Sequence, residues 1–256
     1  MTSSHEPRIA LVTGGSRGLG RSMALHLGDH GTDVIVTYLS NQREANEVVA
    51  QLASKGRKAA ALQLDVGDSK QFSAFRDTLA TTLRDVWKRD RFDFLVNNAG
   101  VGAHAAFTEL REEQFDQLVN IHLKSAFFLT QKLLPLIQDG GRILNVSSGL
   151  TRITYPGYAA YATMKAGVEV LTRYLAKELG PRKIAVNVIA PGAIETDFGG
   201  GHVRDNADIN KQIASQTALG RVGLPDDIGG AVAMLLSPEA HWISGQRIEF
   251  SGGQML

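Results

Sequence analysis

The 256-residue chain contains no cysteine, which excludes disulfides, thiolate-held metals and a cysteine nucleophile. It also lacks a charge bias, with 27 Lys and Arg against 26 Asp and Glu. That balance leaves no electrostatic footprint for nucleic acid or an anionic membrane surface. No apolar run is long enough to span a bilayer, and residues 1–8 are polar, without the apolar segment of an export signal. A soluble cytoplasmic protein is the resulting expectation. Internal repeats, low-complexity tracts and blocks of one charge are missing too. The seven histidines do not suggest a metal site, because His26 and His30 lie four apart on a predicted helix with no third ligand nearby. His104 is a loop residue that could line a cleft.

What the chain does have is apolar substance, 43% hydrophobic against 21% charged residues, enough core for one large α/β domain over 1–256, and nothing divides it. Apolar runs at 8–12, 33–38, 58–64, 92–96, 142–146, 184–189 and 246–250 read as strands. Between them lie helical patterns at 21–30, 42–55, 69–88, 107–138, 158–179 and 226–236. Alternation of this kind predicts a doubly wound parallel sheet of about seven strands, flanked by helices on both faces. Ligands then gather at the strand C-terminal ends. The polar stretch 197–218 opens on Gly199, Gly200 and Gly201 and reads as a substrate lid.

Two stretches carry chemistry. The first, Thr13-Gly14-Gly15-Ser16-Arg17-Gly18-Leu19-Gly20, joins a strand to a helix. Its glycines would let the backbone approach a pyrophosphate at the helix N-terminus. A plain tight turn is the alternative. The next strand ends Tyr38-Leu39-Ser40-Asn41, without the acid that would hold a ribose 2′-hydroxyl. With Arg17 in the turn, this favours a 2′-phosphate and hence NADP(H), unless Arg17 only caps a surface loop.

In the second, Ser148 follows a strand, and Tyr161 and Lys165 lie four apart on one helical face. A lysine ammonium can lower a phenol toward the range where it exchanges protons at neutral pH, and a serine hydroxyl can orient the substrate oxygen. An ordinary amphipathic helix accounts for the same spacing. Asn120 is polar amid Leu118, Val119, Ile121 and Leu123, so it either ties down backbone or serves a site.

Taken together, Thr13-Gly14-x-x-x-Gly18-x-Gly20, Asp65-Val66, Asn97-Asn98-Ala99-Gly100, Asn120, Ser148, Tyr161-x-x-x-Lys165 and Pro191-Gly192 resemble a short-chain dehydrogenase/reductase of the single-domain type. The resemblance covers almost the whole chain and is nearest the 3-oxoacyl-acyl-carrier-protein reductases. It implies a catalytic tetrad of Asn120, Ser148, Tyr161 and Lys165. In that tetrad Tyr161 exchanges a proton with the carbonyl oxygen, and Asn120 anchors a water beside Lys165. It also implies a cofactor site. Gly14, Ser16, Arg17, Gly18, Leu19 and Gly20 take the phosphates, with Tyr38, Ser40 and Asn41 at the 2′ position. Asp65 and Val66 border the adenine, Asn97 lies near the adenosine ribose, Tyr161 and Lys165 contact the nicotinamide ribose, Ile194 and Thr196 meet the carboxamide, and Ala99, Gly100, Pro191 and Gly192 complete the cofactor site. The implied activity is NADPH-dependent interconversion of a ketone and a secondary alcohol, with a 3-oxoacyl thioester as one candidate substrate. The implied assembly is a homotetramer. A non-catalytic NADP(H)-binding sensor on the same fold is the alternative; it would be expected to lack a tetrad member.

Overall fold

A computed structural model describes residues 7–256; of the polar opening at 1–8, residues 1–6 lie outside the described residues. Seven strands form the framework: β1 (Ile9–Val12), β2 (Asp33–Tyr38), β3 (Ala59–Gln63), β4 (Phe92–Asn97), β5 (Ile137–Val146), β6 (Ala185–Pro191) and β7 (Arg247–Phe250). They make one sheet in the order β3-β2-β1-β4-β5-β6-β7, and every neighbouring pair is parallel. The helices are α1 (Gly18–Asp29), α2 (Gln42–Ser54), α3 (Phe72–Thr82), α4 (Glu112–Leu118), α5 (Ser125–Leu133), α6 (Ala159–Glu178), α7 (His202–Asp205), α8 (Ala207–Ser215) and α9 (Pro225–Leu235). None of the described helices is long and apolar enough to cross a membrane.

Both faces of the sheet are covered. Ala10 and Val12 face a cluster with Met23 and Leu27 of α1, Val48 of α2 and Val232 of α9. Their neighbours Ile9 and Leu11 face the opposite cluster, with Phe72 and Leu79 of α3 and Leu129 and Leu133 of α5. Burial on both sides explains why the strands read as unbroken apolar runs rather than alternating ones. Each fully buried Leu or Phe contributes roughly 2 kcal/mol by transfer from water. On the first face α1 and α9 approach closely. The Ser22 hydroxyl donates to Asp226 at 2.8 Å, and a Cβ on Gly229 would lie 2.3 Å from that same oxygen, so only glycine permits the approach.

Several boundaries differ from expectation, each for a local reason. α1 starts at Gly18 rather than at 21, because Arg17 is extended at the N-cap and Gly18 takes a φ of +53° that few side chains tolerate. β5 starts at Ile137 rather than at 142. Its partner β4 pairs Phe92 with Ile137 and Phe94 with Arg142, so 138–141 loop out of register around Gly140, which has φ +78°. Residues 107–111 are not helical. The helix expected over 107–138 is instead α4 and α5 joined by a wider π-helical segment, Val119–Lys124. The stretch 197–218 holds the turn Phe198–Gly201, then α7 and α8.

Candidate active site

The strand order reverses between β1 and β4, which opens a crevice at their C-terminal ends. Thr13, at the end of β1, stitches its walls together. Its hydroxyl accepts from the backbone N–H of Asn98 at 2.9 Å and of Ala99 at 3.0 Å. The Asn98 amide returns a bond to the Thr13 carbonyl at 2.8 Å, and Thr37 of β2 accepts from Gly14 N–H at 3.1 Å. Asn98 and Thr37 are positioning residues absent from the candidate set, although Asn98 stood in plain view in Asn97-Asn98-Ala99-Gly100.

The glycine turn is shaped for close backbone approach. A Cβ on Gly20 would lie 2.2 Å from the Gly14 carbonyl oxygen, and one on Gly14, at φ +63°, would lie 3.0 Å from Ala99 Cα. α1 begins here, and no side chain caps its N-terminus. The first N–H groups of α1 therefore face the crevice with the positive end of the helix dipole, the arrangement that receives a phosphate. Ser16 is half-buried on this turn, Arg17 is exposed, and Leu19 packs against the first core. Thr196 reaches the turn from the end of β6, its side chain 3.8 Å from the position of a Gly18 Cβ.

The remaining candidates divide into those that face the crevice and those engaged elsewhere. Val66 and Ala99 line a small chamber at its base. Asp65 folds back to accept from Gly67 N–H at 2.8 Å. Tyr38 is buried, while Ser40 is exposed. The Asn41 side-chain amide oxygen caps α2, accepting from Glu44 N–H at 3.2 Å. The Asn97 amide is held by Thr130 at 3.0 Å and Asn145 at 2.8 Å, so it ties β4 to β5 and α5. Gly100 lies against His122, Gly192 packs against Ser251 and Gln254, and Ile194 covers Gly223. Pro191 is the last residue of β6.

At the end of β5 the two serines separate by role. Ser147 is buried, and its hydroxyl donates to Glu169 at 2.6 Å. The next side chain along an extended strand points the other way, so Ser148 turns toward Tyr161, near enough to lower its phenol, while its hydroxyl accepts from Leu150 N–H at 3.2 Å. α6 then presents Tyr161 and Lys165 one turn apart, 6% and 5% exposed. Lys165 Nζ donates to the Val146 carbonyl at 2.8 Å and sits 5.6 Å from the centre of the Tyr161 ring. Burial pushes the Lys165 ammonium down to about 8. Burial also drives the Tyr161 phenol well above its ordinary value, with Ser148 working against the rise and Tyr158 adding to it. The expected lowering of this phenol by Lys165 is not seen; desolvation raises it instead.

Asn120 does not join this group. It sits at the start of the π-helical segment, where its backbone carbonyl accepts from Ser125 N–H, and its side chain makes no hydrogen bond. Two residues on, His122 is brought against Tyr161. The His122 ring is 3% exposed and meets the Tyr161 ring edge-on at 5.1 Å and 88°. π-bulges widen a helix by one residue per turn and recur at functional sites; here the bulge carries His122 to the crevice.

Over the mouth, Phe198 lies 5.8 Å from Tyr161, and His104 meets Tyr158 edge-on at 5.0 Å. Tyr161 thus opens onto a rim of aromatic rings.

Comparison with known proteins agrees with this fold. The family model described as enoyl-(acyl carrier protein) reductase, of the short-chain dehydrogenase type, matches residues 14–254. A tetrahydroxynaphthalene reductase of Pestalotiopsis fici is 38% identical, over 98% of this chain and 94% of its own length. Among solved structures, the promiscuous reductase LugOII, which reduces a ketone at C1 in lugdunomycin biosynthesis, superposes with a TM-score of 0.92 at 37% identity, covering 97% of this chain and 98% of its own. The angucycline C-6 ketoreductase LanV with bound NADP gives 0.92 at 35% identity, covering 97% and 95%; a further structure of it carries NADP and rabelomycin. The chain belongs to the short-chain dehydrogenase/reductase family.

Proposed function

We propose that this protein is an NADP(H)-dependent ketoreductase that interconverts a ketone on a fused aromatic ring system and its secondary alcohol. The whole chain acts as one domain, with 197–218 as the substrate lid. The observation that carries the reading is the placement of the Tyr161 hydroxyl. It is buried beside Ser148 and Lys165, at the crevice that the glycine turn also faces, and beneath an aromatic rim.

The residues fit a dinucleotide. The N-terminus of α1 and the glycine turn take the pyrophosphate, and Arg17 takes a 2′-phosphate at a strand end that offers no competing acid. The bound cofactor supplies the hydride. Ser148 orients the ketone oxygen, and Tyr161, held protonated by its burial, donates the proton to it. Lys165 sets the local charge beneath them. Phe198, Tyr158 and His104 offer ring faces and edges to a flat substrate, where each aromatic pair contributes about 1 kcal/mol beyond area burial. The aromatic substrates in the names of the reductases that it resembles support the same class.

The test is side-by-side oxidation of NADPH and NADH against a hydroxylated naphthalenone, a simple cyclic ketone and an acetoacetyl thioester. Turnover fastest with NADPH and the naphthalenone is expected. Preference for the thioester would move the protein to the acyl-chain reductases. Tight NADPH binding with no oxidation would make it a nucleotide sensor.

A further inference from the structure

The turn that carries Ser148 is gripped from both sides. Ser147 before it and Thr151 after it reach the same oxygen of α6: Glu169 Oε1 accepts from the Ser147 hydroxyl at 2.6 Å and from the Thr151 hydroxyl at 2.7 Å. Arg247 of β7 donates its Nε–H to that oxygen as well, at 2.9 Å. The Glu169 side chain is 13% exposed, so these charge-assisted bonds lie where water competes weakly and they are strong. For Thr151 the carboxylate is the nearer and the charged one of two acceptors, the other being the Ser148 carbonyl at 3.0 Å. The Thr151 N–H donates to that carbonyl too, at 3.2 Å, so Thr151 closes the turn that Ser148 opens. Glu169 also extends the stripe of Tyr161 and Lys165 along α6 at the same spacing of four. One helix face thus carries the phenol, the ammonium and the group that grips the serine turn.

We infer that Glu169 is a positioning residue that fixes Ser148 across from Tyr161, by tying the turn at the end of β5 to the helix that carries the phenol. Glu169 acts through Ser148 and transfers no proton itself. Either hydroxyl alone keeps the turn attached, whereas loss of the carboxylate frees both. Arg247 holds the carboxylate against the turn and is itself paired with Glu249 at 3.0 Å, so the last strand of the sheet backs the anchor. An offset of about 1 Å between a reacting group and its partner lowers a rate by as much as about a hundredfold. A turn released from α6 therefore slows the chemistry, while cofactor and ketone still bind through the glycine turn and the aromatic rim. The inference rests on the reading of Ser148 as the residue that orients the ketone oxygen.

Steady-state ketone reduction by the full chain separates positioning from packing. Glu169→Ala is expected to lower kcat by about tenfold, with KM for the ketone and Kd for NADPH within about threefold of wild type. Glu169→Gln keeps an oxygen that accepts from both hydroxyls, and it is expected to bring kcat back to within about threefold. In a Ser148→Ala background, Glu169→Ala is expected to lower kcat by less than about twofold further, because the group it positions is already gone. A full-speed Glu169→Ala, a Glu169→Gln as slow as Glu169→Ala, or the same loss repeated in the Ser148→Ala background overturns the inference. Should Glu169→Ala not fold, Ser147→Ala combined with Thr151→Val cuts the same two bonds from the side of the turn and leaves the pair of Glu169 and Arg247 in place. That double variant must show the loss of kcat, and wild-type kcat there also overturns the inference. Ser148→Ala alone keeps the two readings apart. Undiminished turnover removes the assignment of Ser148 and the inference with it, whereas a slow Ser148→Ala beside a full-speed Glu169→Ala removes only the part given to Glu169.

Discussion

Lys165, 5% exposed, reaches back from α6 to β5 to donate to the Val146 carbonyl at 2.8 Å. Its fall from 10.5 to about 8 comes from burial. Between about pH 8 and 10.5 the unfolded chain therefore binds a proton that the folded chain has released, so stability from this group rises with pH across that window. Below pH 8 the penalty is present in full. Lys165→Met is expected to raise stability at pH 7 by about 2 kcal/mol, with the advantage fading by pH 10. Urea denaturation at pH 7, 9 and 10 reads this directly, and a less stable variant at pH 7 would contradict it.

The adjacent serines make a matched pair. Ser148→Ala removes a hydroxyl that lies beside Tyr161 and is expected to lower kcat by about a hundredfold while leaving the fold intact. Ser147→Ala removes a buried bond to Glu169. It is expected to cost about 1 kcal/mol of stability, because Thr151 and Arg247 still hold that carboxylate. Its kcat should stay near wild type. Steady-state kinetics and a denaturation curve on each variant decide the pair, and a reversed pattern would assign the roles the other way round.

Arg17 lies exposed at the N-cap of α1, its side chain making no capping bond. Arg17→Ala is expected to weaken NADPH by about tenfold and NADH by less than twofold, since only the former carries the 2′-phosphate that a guanidinium grips. Fluorescence titration with both nucleotides tests it. Equal losses would remove Arg17 from cofactor selection.

The sheet was legible in the sequence because residues such as Ile9, Leu11, Ala10 and Val12 are buried on both faces, which writes each strand as an apolar run. The choice of Ser148 over Ser147 comes from the thirteen-residue separation from Tyr161 that the family resemblance supplies, because the turn and loop between them have no period to count. Counting failed where the period changed. The segment Val119–Lys124 winds as a π-helix, where the 3.6-residue period no longer tells which polar residue meets the crevice. Asn120 looked like the site residue, yet His122, equally polar between Ile121 and Leu123, is the one brought to Tyr161. That second polar residue was the signal available. The start of β5 was hidden for a similar reason, because the out-of-register stretch 138–141 breaks the pattern of the strand around it.

The clamp between Ser22 and Asp226 joins positions 204 apart in the chain, and its consequence concerns the order of assembly. α1 carries the turn that is shaped to receive the nucleotide phosphates, yet much of its packing comes from α9, far later in the chain. Contacts of such long range close late, after the entropy of the intervening loop has been overcome. The glycine turn is thus expected to be fixed late, and nucleotide held there would favour chains in which α9 has already docked.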